Sequence, residues 1–154
     1  MAIQPEGDPV SDQNGPGAGG APGGARRQMG RKHVFAVNGS PAFLGVVREL
    51  LQDERYNVTT TNYVPHTFEQ IAALAPDLLV VDLAAGHRSG WRLLERLHAA
   101  AATRRIPVLV TSTDPHLLAE AEALAARYGG DRFLVKPFDL DVLLEAVRTL
   151  IGRA

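Results

Sequence analysis

Three residues that could act together chemically each close a short apolar run in this 154-residue chain. Asp82 follows Leu78–Val81, Ser112 ends the segment that begins with Val108, and Lys136 follows Phe133–Val135. They offer a carboxylate, a hydroxyl and an ammonium, which combine an anion, a hydrogen-bond donor and a cation. Whether these groups meet depends on the elements that carry them.

The apolar runs predict a parallel sheet. A further run, Val34–Val37, is followed by Asn38 and Gly39, and none of the four runs alternates with polar residues. Strands of this type are covered on both faces, as in a parallel sheet between two layers of helices. A fifth candidate strand, Asn57–Thr61, is threonine-rich and only half apolar, which suits an exposed edge.

Helix signals separate the strands. Ser40 and Asp114 each precede a proline, which is the pattern of a capping residue before the first helical turn. Asp139 and Asp141 place carboxylates at the start of the last helix, and Gly129–Gly130 ends the fourth.

Five strands alternating with five helices, with right-handed crossovers, predict an α/β fold. We expect a three-layer, doubly wound parallel sheet with strand order 2-1-3-4-5, as in flavodoxin-like folds. In such folds the crevice for chemistry lies beyond the carboxyl ends of the strands, between the first and third. The carboxylate, the hydroxyl and the ammonium are therefore expected to converge there.

Three segments resemble the receiver domain of bacterial response regulators. Pro76–Leu83, with Gly90 eight residues after the aspartate, resembles the phosphoacceptor segment of that family. Ile106–Ser112 resembles its fourth strand, and Gly129–Phe138 resembles its fifth strand and Lys-Pro turn. The segments occur in the family's order and spacing, and the resemblance covers residues 32–152.

The resemblance implies phosphoryl transfer from a histidine kinase or phosphotransfer protein to Asp82. Asp82 is then the nucleophile and forms a mixed anhydride. Lys136 neutralises the developing charge, and Ser112 donates to a phosphoryl oxygen. The neighbouring hydroxyls of Thr111 and Thr113 leave a one-residue error in this register open. Phe133 matches the aromatic residue that changes rotamer on activation in the family, although a strand phenylalanine also fits simple packing.

The chain departs from the family at the cation site. Receivers carry an acidic pair after the first strand, which holds Mg²⁺ together with the acceptor aspartate, whereas this chain has Asn38 and Gly39. Asp82 and Asn38 are the remaining candidate ligands. Since Mg²⁺ prefers carboxylate oxygens, the loss of two anionic groups predicts weakened Mg²⁺ binding.

The expected function is that of a stand-alone receiver in two-component phosphorelay signalling, which couples Asp82 to a protein-binding face. By resemblance that face comprises the fourth helix, the fifth strand and the last helix, and an unidentified downstream protein binds it. At most, the domain would catalyse its own phosphorylation and dephosphorylation. The alternative is a pseudo-receiver that binds a partner without phosphorylation. A flavin or nucleotide enzyme is less supported, because no glycine-rich phosphate loop follows the first strand.

The composition of the chain limits which of these functions and locations we expect. Residues 1–30 hold eight of the fifteen glycines, which predicts a disordered segment before a domain at 31–154. The absence of cysteine excludes thiolate chemistry, and 16 basic against 17 acidic side chains indicate no nucleic-acid surface. No apolar run reaches membrane-spanning length, so we expect a cytoplasmic protein with no membrane contact. The sequence leaves a homodimer open.

Overall fold

The computed structural model describes residues 30–154, in which five strands form one parallel sheet. The strands are β1 (His33–Val37), β2 (Asn57–Thr61), β3 (Leu78–Leu83), β4 (Val108–Ser112) and β5 (Arg132–Val135). Their order is β2-β1-β3-β4-β5, so the predicted topology is confirmed. Apart from Gly30, the segment predicted to be disordered lies outside the described residues.

The helices of this described part lie between the strands. They are α1 (Pro41–Asp53), α2 (Thr67–Leu74), α3 (Ser89–Ala99), α4 (Pro115–Ala123), α5 (Ala125–Tyr128) and α6 (Leu140–Ile151). The expected fourth helix is divided in two, because Leu124, with φ −103° and ψ 22°, lies outside the helical geometry. None of these helices is long and apolar enough to cross a membrane.

The predicted caps are present at the first and fourth helices. The Ser40 hydroxyl accepts a hydrogen bond from the Phe43 backbone N–H, and the Asp114 carboxylate accepts one from the His116 N–H. These side chains satisfy backbone donors that have no partner inside a helix. The two capped helices begin a few residues after β1 and β4, so both start close to the carboxyl edge of the sheet.

Helices cover both faces of the sheet and give it a three-layer architecture. On one face, here called face A, α1 and α6 pack against Val34, Ala36, Val80 and their neighbours. On the other, face B, helices α2 to α5 pack against Phe35, Val37, Val81 and their neighbours. Successive residues of a strand point to opposite faces, so the face of any strand-end residue follows from its position.

Candidate functional site

The polar side chains of the site project from face A at the carboxyl edge of the sheet. Asp82 is two residues after Val80 and pairs with Thr111 of β4, so both lie on that face. Val37 pairs with Val81, which places the next residue, Asn38, beside Asp82. Lys136 follows β5 two residues after Leu134, which also packs on face A. The sheet thus brings four strand ends together.

Asp82 is held by a hydroxyl and an ammonium. Thr111 Oγ1 donates to Asp82 Oδ1 over 2.8 Å, and Lys136 Nζ lies 2.9 Å from the same oxygen. The side chains of Asp82 and Lys136 are 10% and 13% exposed, so water screens their ion pair poorly. Among residues 30–154 no donor reaches Oδ2, which leaves one carboxylate oxygen available for chemistry.

Lys136 is positioned by its backbone and by an aromatic ring. Its N–H donates to the Ser112 carbonyl over 2.7 Å, which extends the pairing of β4 and β5 beyond Val135. The peptide bond that follows, to Pro137, is cis. The ammonium also lies 4.3 Å from the centre of the Phe43 ring at the start of α1, a cation–π contact.

The Ser112 hydroxyl makes no hydrogen bond to Asp82, and its expected position is corrected. Its hydroxyl donates to the Leu83 carbonyl over 2.7 Å and accepts from the Asp114 N–H over 3.1 Å. The physical reason is register, because Ser112 pairs with Leu83 and belongs to face B. Thr111, one residue earlier, supplies the hydroxyl that sequence reasoning had assigned to its neighbour. The predicted role of Ser112 toward a phosphoryl group remains a prediction.

Asn38 has one engaged and one unpaired polar atom. Its Oδ1 accepts from the Ser40 N–H over 2.8 Å. Its Nδ2 is the only buried side-chain nitrogen or oxygen in residues 30–154 without a hydrogen-bond partner. An unpaired buried donor of this kind costs about 1–3 kcal/mol. Because Asn38 is only 3% exposed, water does not provide an easy substitute.

The donor set fits Mg²⁺ poorly. Hard cations require several oxygen ligands, yet the one oxygen of Asn38 is already engaged and Gly39 contributes no side chain. In the described part of the chain no group of three or more His, Cys, Asp or Glu residues could hold a metal ion. Asp82 is therefore the one anionic ligand candidate at this point of the sheet.

Tyr63 and Gly90 enclose the backbone of Asp82, and sequence reasoning missed the tyrosine. The Tyr63 hydroxyl, from the loop after β2, donates to the Asp82 carbonyl. Burial raises the pKa of Tyr63, and the charge of Asp82 raises it further, so this hydroxyl stays protonated. A Cβ on Gly90 would lie 2.7 Å from the same carbonyl oxygen, so the start of α3 requires glycine there.

A cleft of about 760 Å³ opens over these groups. Asp82, Lys136 and Asn38 line it on one side, and Tyr63, His87 and Asn62 belong to the surrounding loops. Phe133 lies on the opposite face of the sheet, packed over Gly130 and against the core of face B. The sheet therefore lies between this phenylalanine and the polar side chains of the cleft.

Comparison with known proteins identifies the family that this chain resembles. The family described as "Response regulator receiver domain" matches residues 34–148. The response regulator MprA of Mycobacterium leprae is 28% identical over 120 residues, which are 78% of this chain and 51% of that protein. The "DNA-binding dual master transcriptional regulator RpaA" of Synechocystis is 32% identical over 80 residues, 52% of this chain and 32% of that protein.

A solved structure has the same fold. It is the receiver domain of the sensor histidine kinase PA1611 from Pseudomonas aeruginosa, which contains a coordinated magnesium ion. It has a TM-score of 0.67 and 18% identity, and the match covers 80% of this chain and 99% of that one. The chain spans about half the length of the first curated relatives that it matches.

Proposed function

Because the chain belongs to the response regulator receiver family, we propose that Asp82 accepts a phosphoryl group from a histidine kinase or phosphotransfer protein. The observation that carries this proposal is the state of the Asp82 carboxylate. One oxygen is held by Thr111 and Lys136, while the other is unengaged and the residue lines an open cleft. A nucleophile held in this way needs little reorganisation before it reacts.

The transfer step uses the free oxygen. Asp82 Oδ2 forms a bond to the phosphorus of a phosphohistidine, the P–N bond breaks, and the imidazole nitrogen takes the electron pair and then a proton. The product is an acyl phosphate on Asp82. Lys136, at 2.9 Å from Oδ1, offsets the charge that the phosphoryl group brings, and Thr111 keeps the carboxylate oriented during the attack.

Phosphorylation then shifts a protein-binding face of the domain between two conformational states. We place that face on α4, β5 and α6, around Phe133, where an unidentified downstream protein would dock. Its support in the structure is a set of exposed apolar side chains within or directly after these elements, namely Leu124, Val135 and Leu140. An acyl phosphate that forms contacts in only one arrangement of the strand ends shifts an equilibrium between two states.

We regard the domain as a signalling module that catalyses at most its own phosphorylation and dephosphorylation, in a cytoplasmic protein. The expected absence of a nucleic-acid partner is a prediction for this domain alone, because the printed name of one relative includes DNA binding. Dimerisation is likewise a prediction.

The experiment uses Trp91 as a reporter. Trp91 is 8% exposed, follows Gly90, and packs edge-on against Tyr128 at 4.9 Å between ring centres. Acetyl phosphate with Mg²⁺ should change its fluorescence, and Asp82→Asn should abolish the change. A response that persists in Asp82→Asn contradicts the proposal.

The second candidate is a pseudo-receiver that binds its partner without phosphorylation. The observation that favours it is the loss of the acidic pair at Asn38 and Gly39, with the poor Mg²⁺ fit described above. This candidate predicts no effect of acetyl phosphate at any Mg²⁺ concentration. It also predicts that a partner captured by the wild-type domain binds Asp82→Asn with unchanged affinity.

A further inference from the structure

The unpaired amide of Asn38 points to an unusual way of binding a phosphoryl group. The Ser40 N–H can only donate, so it fixes the Asn38 oxygen on its own side and leaves Nδ2 as the group without a partner. Asn38 follows Val37, whose sheet partner immediately precedes Asp82. A donor is therefore buried next to the acceptor carboxylate with no acceptor of its own.

The charge of the site differs from that of a site built around a divalent cation. The strand ends contribute one carboxylate, Asp82, and one ammonium, Lys136, which form an ion pair. An incoming phosphoryl group meets no additional acidic side chain on β1, because Asn38 is neutral and Gly39 has none. The repulsion that a divalent ion would otherwise have to offset is correspondingly smaller.

We infer that the Asp82 cleft holds its phosphoryl group without a divalent cation, with Asn38 Nδ2 and Lys136 Nζ as donors to its oxygens. This inference rests on the function proposed above. The phosphoryl oxygens supply the acceptor that the buried amide lacks, so binding pairs a group that the free protein leaves unpaired. Asn38 is in this view a binding residue for the anion rather than a remnant of a metal site.

The test uses beryllofluoride, a tetrahedral analogue of the phosphoryl group, with bound analogue detected by ¹⁹F NMR. The wild-type chain is titrated in EDTA and again in excess Mg²⁺. The inference predicts apparent dissociation constants that agree within about twofold, a difference that corresponds to less than one hydrogen bond. Binding in Mg²⁺ but not in EDTA overturns the inference and leaves the proposed function intact. Absence of binding in both overturns both.

A matched pair of variants tests the amide itself. Asn38→Asp keeps the oxygen that accepts from the Ser40 N–H, so the fold is retained. It replaces the Nδ2 donor with an oxygen of a charged carboxylate. It should lose binding in EDTA by at least about tenfold and regain it in Mg²⁺. Gln70→Glu makes the same amide-to-carboxylate change at an exposed residue of α2 that does not line the cleft, and it should behave as wild type. Unchanged binding by Asn38→Asp in EDTA refutes the assigned role.

Discussion

Breaking the ion pair between Asp82 and Lys136 should cost more stability than breaking a surface pair in the same chain. The test is a double-mutant cycle with Asp82→Asn, Lys136→Met and both together. The methionine variant also loses the cation–π contact with Phe43, but that loss occurs in both halves of the cycle and cancels in the coupling energy.

The magnitude follows from the geometry. Unit charges separated by the observed 2.9 Å attract by about 1.4 kcal/mol in water and by about 6 kcal/mol at an effective dielectric constant of about 20. The two side chains are mostly buried, so the coupling lies between these limits. The desolvation cost of each single charge occurs in both halves of the cycle and cancels, as the cation–π contact does. We expect a coupling energy of about 2–4 kcal/mol.

The assay is urea unfolding at neutral pH, with a matched cycle at Glu69 and Arg96. That pair has a similar separation, 3.0 Å, but its side chains are 54% and 57% exposed, which predicts a coupling of about 0.2–1 kcal/mol. Raising the salt concentration should weaken the surface pair more than the buried one. A coupling at Asp82–Lys136 no larger than the surface value refutes our view of a shielded site.

Three further substitutions test neighbouring contacts. Thr111→Val removes a buried hydrogen bond to the acceptor carboxylate. It should lower the free energy of unfolding in urea by about 1.5–3 kcal/mol and should slow the labelling of the protein by acetyl phosphate. If Ser112→Ala slows the labelling more than Thr111→Val does, the assignment of the hydroxyl to Thr111 is wrong. The raised pKa of Tyr63 means that this tyrosine ionises first in the unfolded state, so the free energy of unfolding falls as the pH rises above about 10. Tyr63→Phe should flatten that fall, and an unchanged slope above pH of about 10 refutes this. Gly90→Ala places a methyl group 2.7 Å from a backbone oxygen and should destabilise the fold by about 1–3 kcal/mol. Gly45→Ala places its methyl group in open space and should not destabilise the fold. Equal effects of the two substitutions would contradict the close packing at Gly90.

The sequence predicted the architecture because its signals were local. Runs such as Leu78–Val81 carry the pattern of doubly covered strands, and Ser40 and Asp114 cap the helices that were expected after them. The division of the fourth helix at Leu124 was missed, because no glycine or proline marks it among the surrounding alanines. Strand order follows from connection rules that hold for most such folds.

The details of the site depend on contacts between distant segments. Thr111 and Ser112 are adjacent hydroxyl residues, and only the pairing of β4 with β3 decides which of them lies beside Asp82. Tyr63 reaches the Asp82 carbonyl from a loop whose path has no signature in the sequence. The replacement of the acidic pair was readable, but the unpaired state of the Asn38 amide depends on the Ser40 N–H.

The most direct test of the central claim is to locate the acyl phosphate. After incubation with acetyl phosphate, reduction with borohydride converts an aspartyl phosphate to homoserine, which mass spectrometry of proteolytic peptides identifies by position. We expect homoserine at residue 82 in the wild-type chain and none in Asp82→Asn. Homoserine at another aspartate, or an unmodified residue 82 in a protein that binds its partner normally, would contradict it.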